Sequence, residues 1–439
     1  MSFLGRFLNN RKGQNEPIIP FGRYSDAYKS DAQYIEWDNA VQAFEEENYL
    51  QSLEHFLEFL KNEKGNNIRY WIDRGVLNFE IIQGSKKIIG LTDSKQVEIE
   101  AKVAQTDGLD IRFMRQLMER NYELKYSRFA LDENDDISMR FDTDLIDASP
   151  YKLYNALKEV AINSDKLDDL LIDEYEVLMA IDNQHIEANS DTEAAVKYEF
   201  VKQWIQKTLS RSEQLNKKEL EAGEAYLLLD LTYKLDYLIS PEGFMMETLE
   251  RTHRRYFSRD GHSVKEKSQV MRNEFQQILS KTKEELEKEF YHTIATFGIT
   301  APVNHDKVVS FIDGELPNMD WYLRNNYPDI ALAIPGYIAG YCMFEFAVPQ
   351  PDKELLHFYF EVIEGGYFRA LGFKNDYYNP DNGKFNKSAI RSKIQYIAKS
   401  NRKTFPNINP NVSILDFKHL QSFAHSYMMM IRQMDLSIE

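Results

Sequence analysis

The stretch Gln96-Val97-Glu98-Ile99-Glu100-Ala101-Lys102-Val103-Ala104-Gln105 decides how the first third of this chain is interpreted. Apolar residues alternate with charged residues from Val97 to Val103. Because successive side chains of a β-strand point to opposite faces of the sheet, this alternation is typical of a strand with one buried and one exposed face. The sequence therefore predicts a half-exposed strand from Gln96 to Gln105.

Further elements are predicted before this strand. A helix is expected from Asp31 to Lys61, because apolar residues recur there at intervals of three and four. The first strand-like run is Arg69 to Asp73, with a continuation into Leu77 to Gln83 left open, and the second is Lys86 to Thr92. Together with the strand predicted at Gln96 to Gln105, the region thus combines one long helix with three strands.

The elements after the stretch follow the same reasoning. A helix is predicted from Asp110 to Asn121, with Asp110 as its N-cap. Strands are predicted at Lys125 to Leu131 and at Ile137 to Asp142, joined by an acidic turn. Pro150 then opens another helix, since proline is tolerated in the first turn.

The resulting order over residues 31–175, α-β-β-β-α-β-β-α, resembles the class I type III secretion chaperone fold and the related YbjN-like domains of bacteria. The most similar parts are the helix Ile111–Asn121, the strands Ser127–Leu131 and Ile137–Phe141 with the acidic turn between them, and the helix after Pro150. Proteins of this fold are non-enzymatic, acidic and often dimeric, and they hold an extended client segment against sheet and helix surfaces. The resemblance, which covers about a third of the chain, implies a client-binding domain.

The remainder of the chain is predicted to be mainly helical. Helical spacing of apolar residues covers Glu193–Leu209, Lys217–Ile239, Glu242–Phe257 and Ser263–Phe297. The fold class is therefore α+β, with a chaperone-like domain followed by a mainly helical domain. We expect an N-terminal arm at residues 1–30, the α+β domain at 31–178 and the helical domain at 179–439, whose prolines leave open a further division near 300.

Charge and cysteine content exclude several classes of function. The 439 residues include 70 Asp and Glu against 53 Lys and Arg, a net charge of −17, which disfavours binding to nucleic acid and to anionic membranes. The single cysteine, Cys342, excludes an intramolecular disulfide and is expected to be a buried, inert thiol. No signal peptide is recognised, and the apolar segment Ile330–Val348 is expected to be a buried helix or helix pair. A cytoplasmic location is therefore expected.

Two Glu-x-x-His motifs are candidates for metal binding: Glu250-Arg251-Thr252-His253 and Glu289-Phe290-Tyr291-His292. On a helix, Glu at i and His at i+3 share a face, and two such pairs with two further glutamates, here Glu224 and Glu274, are typical of a di-iron site. Nine histidines in a Glu-rich chain also produce such matches by chance. A metal-dependent enzyme is therefore kept as an alternative, whereas the favoured hypothesis needs no cofactor.

Two basic islands contrast with the acidic background. Arginines and lysines with interleaved aromatic residues can hold phosphate and stack on bases, although such islands are more often solvated helix faces. The candidate phosphate or nucleic-acid residues are Arg254, Arg255, Arg259, Arg391, Lys393 and Arg402. A nucleic-acid-associated protein is the further alternative.

Two apolar groups are candidate partner-binding anchors. Phe3, Leu4 and Phe7 form a short apolar stripe in the N-terminal arm. The segment 325–373 is dense in aromatic residues, which either line a groove for a partner or form an ordinary core. The candidates in that segment are Tyr337, Tyr341 and Phe358.

The leading hypothesis is a non-enzymatic, cytoplasmic chaperone or adaptor that binds a client protein. The resemblance further implies a client from a secretion or injection apparatus, and it leaves a homodimer open. The chain contains no phosphate-binding loop, no dinucleotide-binding glycine motif and no serine nucleophile elbow.

Overall fold

The architecture is α+β, with an antiparallel sheet in the N-terminal part and a helical part after it. The structure is a computed structural model that describes residues 16–22, 29–61, 67–181, 186–215, 220–293 and 300–437. Three of the predicted partner-binding residues, Phe3, Leu4 and Phe7, lie outside this range.

The chain begins its regular structure with two helices, α1 (Asp31–Glu45) and α2 (Tyr49–Leu60), which pack against each other. The sequence predicted a single helix here, which is wrong. The chain turns at Glu47, whose φ of 62° lies in the left-handed region and is incompatible with a continuing helix. Ser30 caps α1 through a capping box with Gln33.

Four strands follow as an antiparallel meander: β1 (Ile68–Asp73), β2 (Val76–Gln83), β3 (Lys86–Thr92) and β4 (Gln96–Thr106). The sequence predicted three. Arg74 and Gly75 both have positive φ, 53° and 84°, and this two-residue turn separates β1 from β2. Such turns match the twist of the strands that they join.

The sheet is completed by elements that the sequence located correctly. Helix α3 (Ile111–Glu123) is capped by Asp110, whose side chain accepts a hydrogen bond from the Arg112 backbone. Strands β5 (Arg128–Leu131) and β6 (Ile137–Asp144) pair with each other, and β6 pairs with β4. The strand order is β1-β2-β3-β4-β6-β5, and the observed element order is α-α-β-β-β-β-α-β-β-α.

Helix α4 (Pro150–Glu174) covers one face of this sheet and contacts β2, β3, β4 and β6. The alternation predicted for Gln96–Gln105 is confirmed, because Val97, Ile99 and Ala101 are buried while the residues between them are partly exposed. The chain then forms β7 (Leu178–Ala180), which pairs with the end of β4.

The rest of the chain is mainly helical. Its first helices are α5 (Asp191–Glu213), α6 (Glu221–Ile239), α7 (Gly243–Phe257), α8 (Val264–Ser280) and α9 (Lys283–Glu287). Later helices are α10 (His305–Arg324), α11 (Pro328–Glu345), α12 (Gln350–Ile363), α13 (Gly365–Ala370), α14 (Lys387–Asn401) and α15 (Leu420–Arg432). Short strand pairs join β8 (Ile186–Ala188) to β9 (Tyr291–Thr293), β10 (Ala301–Pro302) to β11 (Phe346–Ala347) and β12 (Tyr378–Asn379) to β13 (Lys384–Phe385).

The helical spacing from Ser263 to Phe297 does not form one unbroken helix, and residues 294–297 lie outside the described residues. Helix α8 ends at Ser280, because Lys281 adopts an extended backbone conformation. Thr282 then starts the short helix α9 with a capping box to Glu285. The segment from Tyr291 to Thr293 is a strand.

Buried apolar residues form one large cluster between residues 40 and 178 and another between 198 and 434. The division into domains near residue 178, and any further division near 300, stay predictions. Helix α11 is almost wholly buried, as predicted, and burial raises the pKa of its Cys342 thiol. In the described part of the chain, no helix is both long enough and apolar enough to cross a membrane.

The described part of the N-terminal arm, residues 16–22, contacts the helical part. The Phe21 ring packs against the rings of Phe368 and His357, with centroids 5.3 and 5.1 Å away. The Gly22 backbone N–H donates a hydrogen bond to the Tyr237 carbonyl oxygen at 2.9 Å. This segment therefore attaches the start of the chain to helices α6, α12 and α13.

A substitution at Gly90 in β3 tests how tightly the sheet face covered by α4 is packed. Gly90 pairs directly with Phe79, and a Cβ at Gly90 would overlap the Phe79 ring. We expect Gly90→Ala to lower the free energy of unfolding by about 1–3 kcal/mol, because overpacking a buried contact forces its neighbours to move. Urea denaturation followed by circular dichroism measures this loss.

Gly108→Ala is the matched control, because a Cβ at Gly108 would meet no neighbouring atom of the described residues within 4 Å. The control should change the free energy of unfolding by less than about 0.5 kcal/mol. Equal effects of the two substitutions would contradict the packing described for β2 and β3.

Candidate protein-binding surface

The second face of the N-terminal sheet, called here the outer sheet face, carries exposed apolar side chains. Ile89 and Leu91 on β3 are 44% and 37% exposed, although both lie within a central strand. Leu91 pairs with Asn78, which pairs with Trp71, so the exposed Trp71 lies on the same face. An apolar row of this kind has no role in the buried core and is typical of a contact surface.

Charged residues frame this apolar row, and their charges are paired with one another. Lys87 lies 3.7 Å from Glu80, and Glu100 lies 3.4 Å from Lys102 and 3.5 Å from Arg140. The remaining pairs are Lys102 with Asp132 and Arg128 with Asp142. The row thus lies in a frame without a large excess of either charge.

The Lys102 ammonium shows how strongly this frame is paired. Burial acts to lower the pKa of Lys102, but the hydrogen bond to Asp132 and the nearby Glu100 outweigh it, so the pKa is raised. Lys102 therefore stays charged, and its charge is held within the sheet face. A groove of about 310 Å³ runs along this face and is lined by Ile89 and Leu91 together with Lys102 and other charged residues of the frame.

The edge of the sheet next to this face is formed by β1. Within the described residues, β1 pairs with β2 alone, so the backbone groups on its second edge have no strand beside them. Its residues Trp71 and Ile72 are both about half exposed. An unpaired strand edge with exposed apolar side chains can accept an extended segment of another chain as an additional strand.

Helix α3 presents a second apolar surface, called here the α3 face. Ile111, Met118 and Tyr122 are 83%, 73% and 93% exposed, and their spacing of seven and four places them on one side of the helix. The opposite side holds Phe113 and Leu117, which are buried against the domain core. The helix is therefore anchored by one side and leaves its other side to solvent.

The structure does not bring the predicted metal ligands together. Glu250 and His253 lie on α7 as expected, but Glu250 forms an ion pair with Lys166 at 2.5 Å, and His253 Nδ1 hydrogen-bonds to the Tyr233 hydroxyl at 2.8 Å. Burial lowers the pKa of His253 to about 4, so the ring is neutral. This pair has its partners within the protein.

The second motif is not helical, which corrects the premise of the metal hypothesis. Glu289 follows α9 and accepts a hydrogen bond from the Met245 backbone N–H at 2.8 Å, whereas His292 lies in β9, 3.0 Å from Glu193. The two further glutamates, Glu224 and Glu274, form ion pairs with Arg272 and Arg251. Across the described ranges, no group of three or more His, Cys, Asp or Glu residues is arranged to hold a metal ion.

The two basic islands lie on different helices. In the first, Arg254 forms ion pairs with Glu247 and Glu250, Arg255 lies 3.8 Å from Glu274, and Arg259 follows the end of α7. In the second, Arg391 and Lys393 lie on α14 and Arg402 is its C-cap, with the Arg391 guanidinium over the Phe417 ring. Helix α7 packs against α4, α6 and α8, whereas α14 packs against α12. A phosphate site stays a prediction.

The predicted aromatic anchors of the helical part belong mostly to its core. Tyr337 and Phe358 are buried in the larger apolar cluster, and only Tyr341 is partly exposed. Tyr337 and Phe358 therefore cannot serve as surface anchors for a partner, which corrects that prediction. Their burial follows from their positions on the inner faces of α11 and α12.

The exposed residues of the outer sheet face were not singled out from the sequence. A signal was present, because Ile89 and Leu91 occupy the alternate positions of a strand whose other positions are buried. Apolar residues at both sets of positions form a continuous apolar run, which is also typical of a strand buried on both faces. The open face could be recognised only once the covering helix was located.

No family model matches this chain, and no curated protein matches it either. The resemblance to secretion chaperones therefore stays a prediction, and the function is inferred from the surfaces described above.

The adjacent residues Ile88 and Ile89 test whether the outer sheet face is open. Ile88 is fully buried and Ile89 is 44% exposed, although they are the same residue type in the same strand. We expect Ile88→Ala to cost about 2–5 kcal/mol of unfolding free energy, because the change leaves a cavity. Ile89→Ala should cost less than about 1 kcal/mol, since surface substitutions have small effects.

Urea denaturation of both variants measures the difference. A cost of more than about 2 kcal/mol for Ile89→Ala would mean that another part of the protein covers this face.

Proposed function

We propose that this protein is a non-enzymatic chaperone or adaptor that binds a segment of a client protein on its N-terminal α+β part. The observation that carries the proposal is the outer sheet face, where Ile89, Leu91 and Trp71 are exposed inside a frame of charges that are already paired. Apolar side chains of this size in a polar frame are the usual anchors of a protein interface.

The chemistry of the surface favours a protein segment over other ligands. A nucleic acid would require unpaired cations, but the lysines and arginines of the frame have carboxylate partners. The groove of about 310 Å³ is lined largely by charged side chains that pair with one another, whereas a mostly apolar lining is typical of small-molecule sites. An extended peptide needs only an apolar row and a free strand edge.

The binding mode follows from the position of β1. A client segment that pairs with the free edge of β1 would gain backbone hydrogen bonds, and its alternate side chains would lie beside Trp71 on the outer sheet face. Backbone pairing provides affinity for many sequences, whereas the apolar row selects for apolar residues at alternate positions.

We also propose a cellular setting for this protein. A client from a secretion or injection apparatus is suggested by the resemblance of residues 31–175 to secretion chaperones. A cytoplasmic location is suggested by the single cysteine, which suits a reducing compartment. Both parts of the proposal are tested by the identity of the client.

Leu91→Asp tests the client site. A photo-crosslinking amino acid at Leu91 in the full chain should capture the client in its native host, and mass spectrometry should identify the captured segment. We expect Leu91→Asp to weaken binding of the corresponding synthetic peptide at least about ten-fold, or 1.4 kcal/mol, because a charge would be desolvated in an apolar contact.

Leu323 on α10 provides a matched control, because it is a leucine of nearly equal exposure, 36% against 37% for Leu91. Leu323→Asp should leave the peptide affinity unchanged. Equal weakening by both substitutions, or crosslinking from position 323 and not from position 91, would contradict the proposed site.

The α3 face is the part of the surface suited to a second copy of the chain. Its exposed Ile111, Met118 and Tyr122 form an apolar stripe that a symmetric partner could cover. We expect the protein to have twice its chain mass of 51.6 kDa in light scattering, and Met118→Asp to reduce it to a monomer. Met179→Asp, at an exposed methionine on β7, is the control and should leave the mass unchanged.

A monomeric wild-type protein at micromolar concentration would overturn the dimer without affecting the client site, because the two surfaces share no residue.

A further inference from the structure

The C-terminal half of α4 carries three aspartates, of which Asp168 is buried and Asp165 and Asp169 are partly buried. Asp165 accepts hydrogen bonds from the Ser85 backbone N–H at 2.7 Å, from the Ser85 hydroxyl at 3.0 Å and from the Gln83 amide at 3.0 Å. These contacts fix α4 to the turn between β2 and β3. Gly84 is required in that turn, because a Cβ there would overlap the Asp165 carboxylate and its φ is 51°.

Asp168 lies one turn further along and is paired with a buried lysine. Lys86 is fully buried, and its ammonium lies 2.7 Å from Asp168 Oδ2 and donates to the carbonyl oxygens of Val103 and Ile181 at 3.1 Å. Ser85 also donates to Asp168 Oδ2 at 2.8 Å, whereas the buried Oδ1 atom has no hydrogen-bond partner among the described residues. Lys86 therefore compensates the charge of Asp168, the most buried of the three aspartates.

The third aspartate, Asp169, meets the helical part of the protein. The Tyr291 hydroxyl donates a hydrogen bond to Asp169 Oδ2 at 2.8 Å. Glu289 lies beside it, since a Cβ at Gly243 would be 3.5 Å from Asp169 Cβ and 3.3 Å from Glu289 Cγ. Glu289 accepts one hydrogen bond, from the Met245 backbone N–H. The side chains of Asp169 and Glu289 thus both lie close to Gly243, and both are partly buried.

The wider contact between α4 and the helical part has an excess of acid. Lys166 of α4 binds both Glu247 and Glu250 of α7, each at 2.5 Å, and Lys281 lies 3.4 Å from Asp173. Glu242 adds a further carboxyl group beside Tyr291. The acids of the contact are Asp165, Asp168, Asp169, Asp173, Glu242, Glu247, Glu250 and Glu289, and its cations are Lys86, Lys166, Lys281 and the exposed Arg254.

We propose that this contact is a pH-dependent latch, which holds α4 against the helical part while Asp169 and Glu289 are protonated and loosens when both ionise. The geometry supports it, because Asp169 and Glu289 both lie beside Gly243, each with a single hydrogen-bond donor to its carboxyl group among the described residues. Lys86 is already bound to Asp168, and Lys281 lies against the more exposed Asp173. Ionisation of both would therefore place like charges together with little compensation.

The direction of the pH effect follows from the same contacts. Burial raises the pKa of Asp169 to about 7, with the nearby Asp168 as the second cause, and burial raises the pKa of Glu289 to about 8. Burial also raises the pKa of Asp165 to about 6. Because these values exceed those of the unfolded chain, the closed state binds more protons, and its stability falls as the pH rises through about 7 and 8.

Hydrogen exchange of the full chain at pH 6 and pH 9, corrected for intrinsic exchange rates, tests the latch. In the wild-type protein, we expect exchange of residues 165–174 and 243–250 to accelerate at least about ten-fold at pH 9, while β2, β3 and β4 stay protected. The double variant Asp169→Asn, Glu289→Gln should show less than about a two-fold change in the same segments, because neither group can ionise.

Asp173→Asn is the control, since its side chain is 59% exposed at the edge of the same contact, and it should retain the wild-type response. If the double variant does not fold, Glu289→Gln alone should be measured. Its acceleration of hydrogen exchange with pH should be smaller than in the wild-type protein and should reach its full extent near pH 7. An unchanged rate between pH 6 and pH 9 in the wild-type protein, or an undiminished acceleration in a folded variant that lacks Glu289, would overturn the latch.

Discussion

The packing of α4 onto the N-terminal sheet is the interaction on which the rest of the structure depends. An apolar stripe along α4 faces the sheet, and burying each of its large side chains contributes about 1.5–3 kcal/mol. The stripe consists of Leu153, Leu157, Val160, Leu167 and Leu171. Because α4 takes this face, Ile89, Leu91 and Trp71 on the opposite face stay exposed among the described residues, and Asp169 of α4 binds Tyr291 of the helical part.

On the proposed binding face, the charges are satisfied within the sheet. Ion pairs such as Lys87 with Glu80 fix the frame, so a partner need not supply counter-charges. Among the described residues, nothing covers Ile89 and Leu91 fully, and no strand pairs with the outer edge of β1. The acidic net charge of the chain therefore favours solubility and does not by itself indicate which ligand this face binds.

Local patterns in the sequence predicted much of the fold, and features that depend on distant contacts were missed. The alternation in Gln96–Gln105 and the cap at Asp110 follow from neighbouring residues and were confirmed. The turn at Arg74-Gly75 was missed because it depends on positive φ values that apolar spacing does not report. The Glu289–His292 motif was assigned to a helix because its spacing fits one, but the capped break at Thr282 ends that helix earlier. The outer sheet face required knowledge of which face α4 covers.

Hydroxyl-radical footprinting of the full chain, alone and with its client, tests the central claim most directly. Exposed aromatic and aliphatic side chains are oxidised in the free protein, so Trp71, Ile89 and Leu91 should be labelled. We expect the client to protect these three residues and to leave Trp321 on α10 labelled as before. Protection confined to the helical part, with Trp71 and Leu91 still oxidised in the complex, would contradict it.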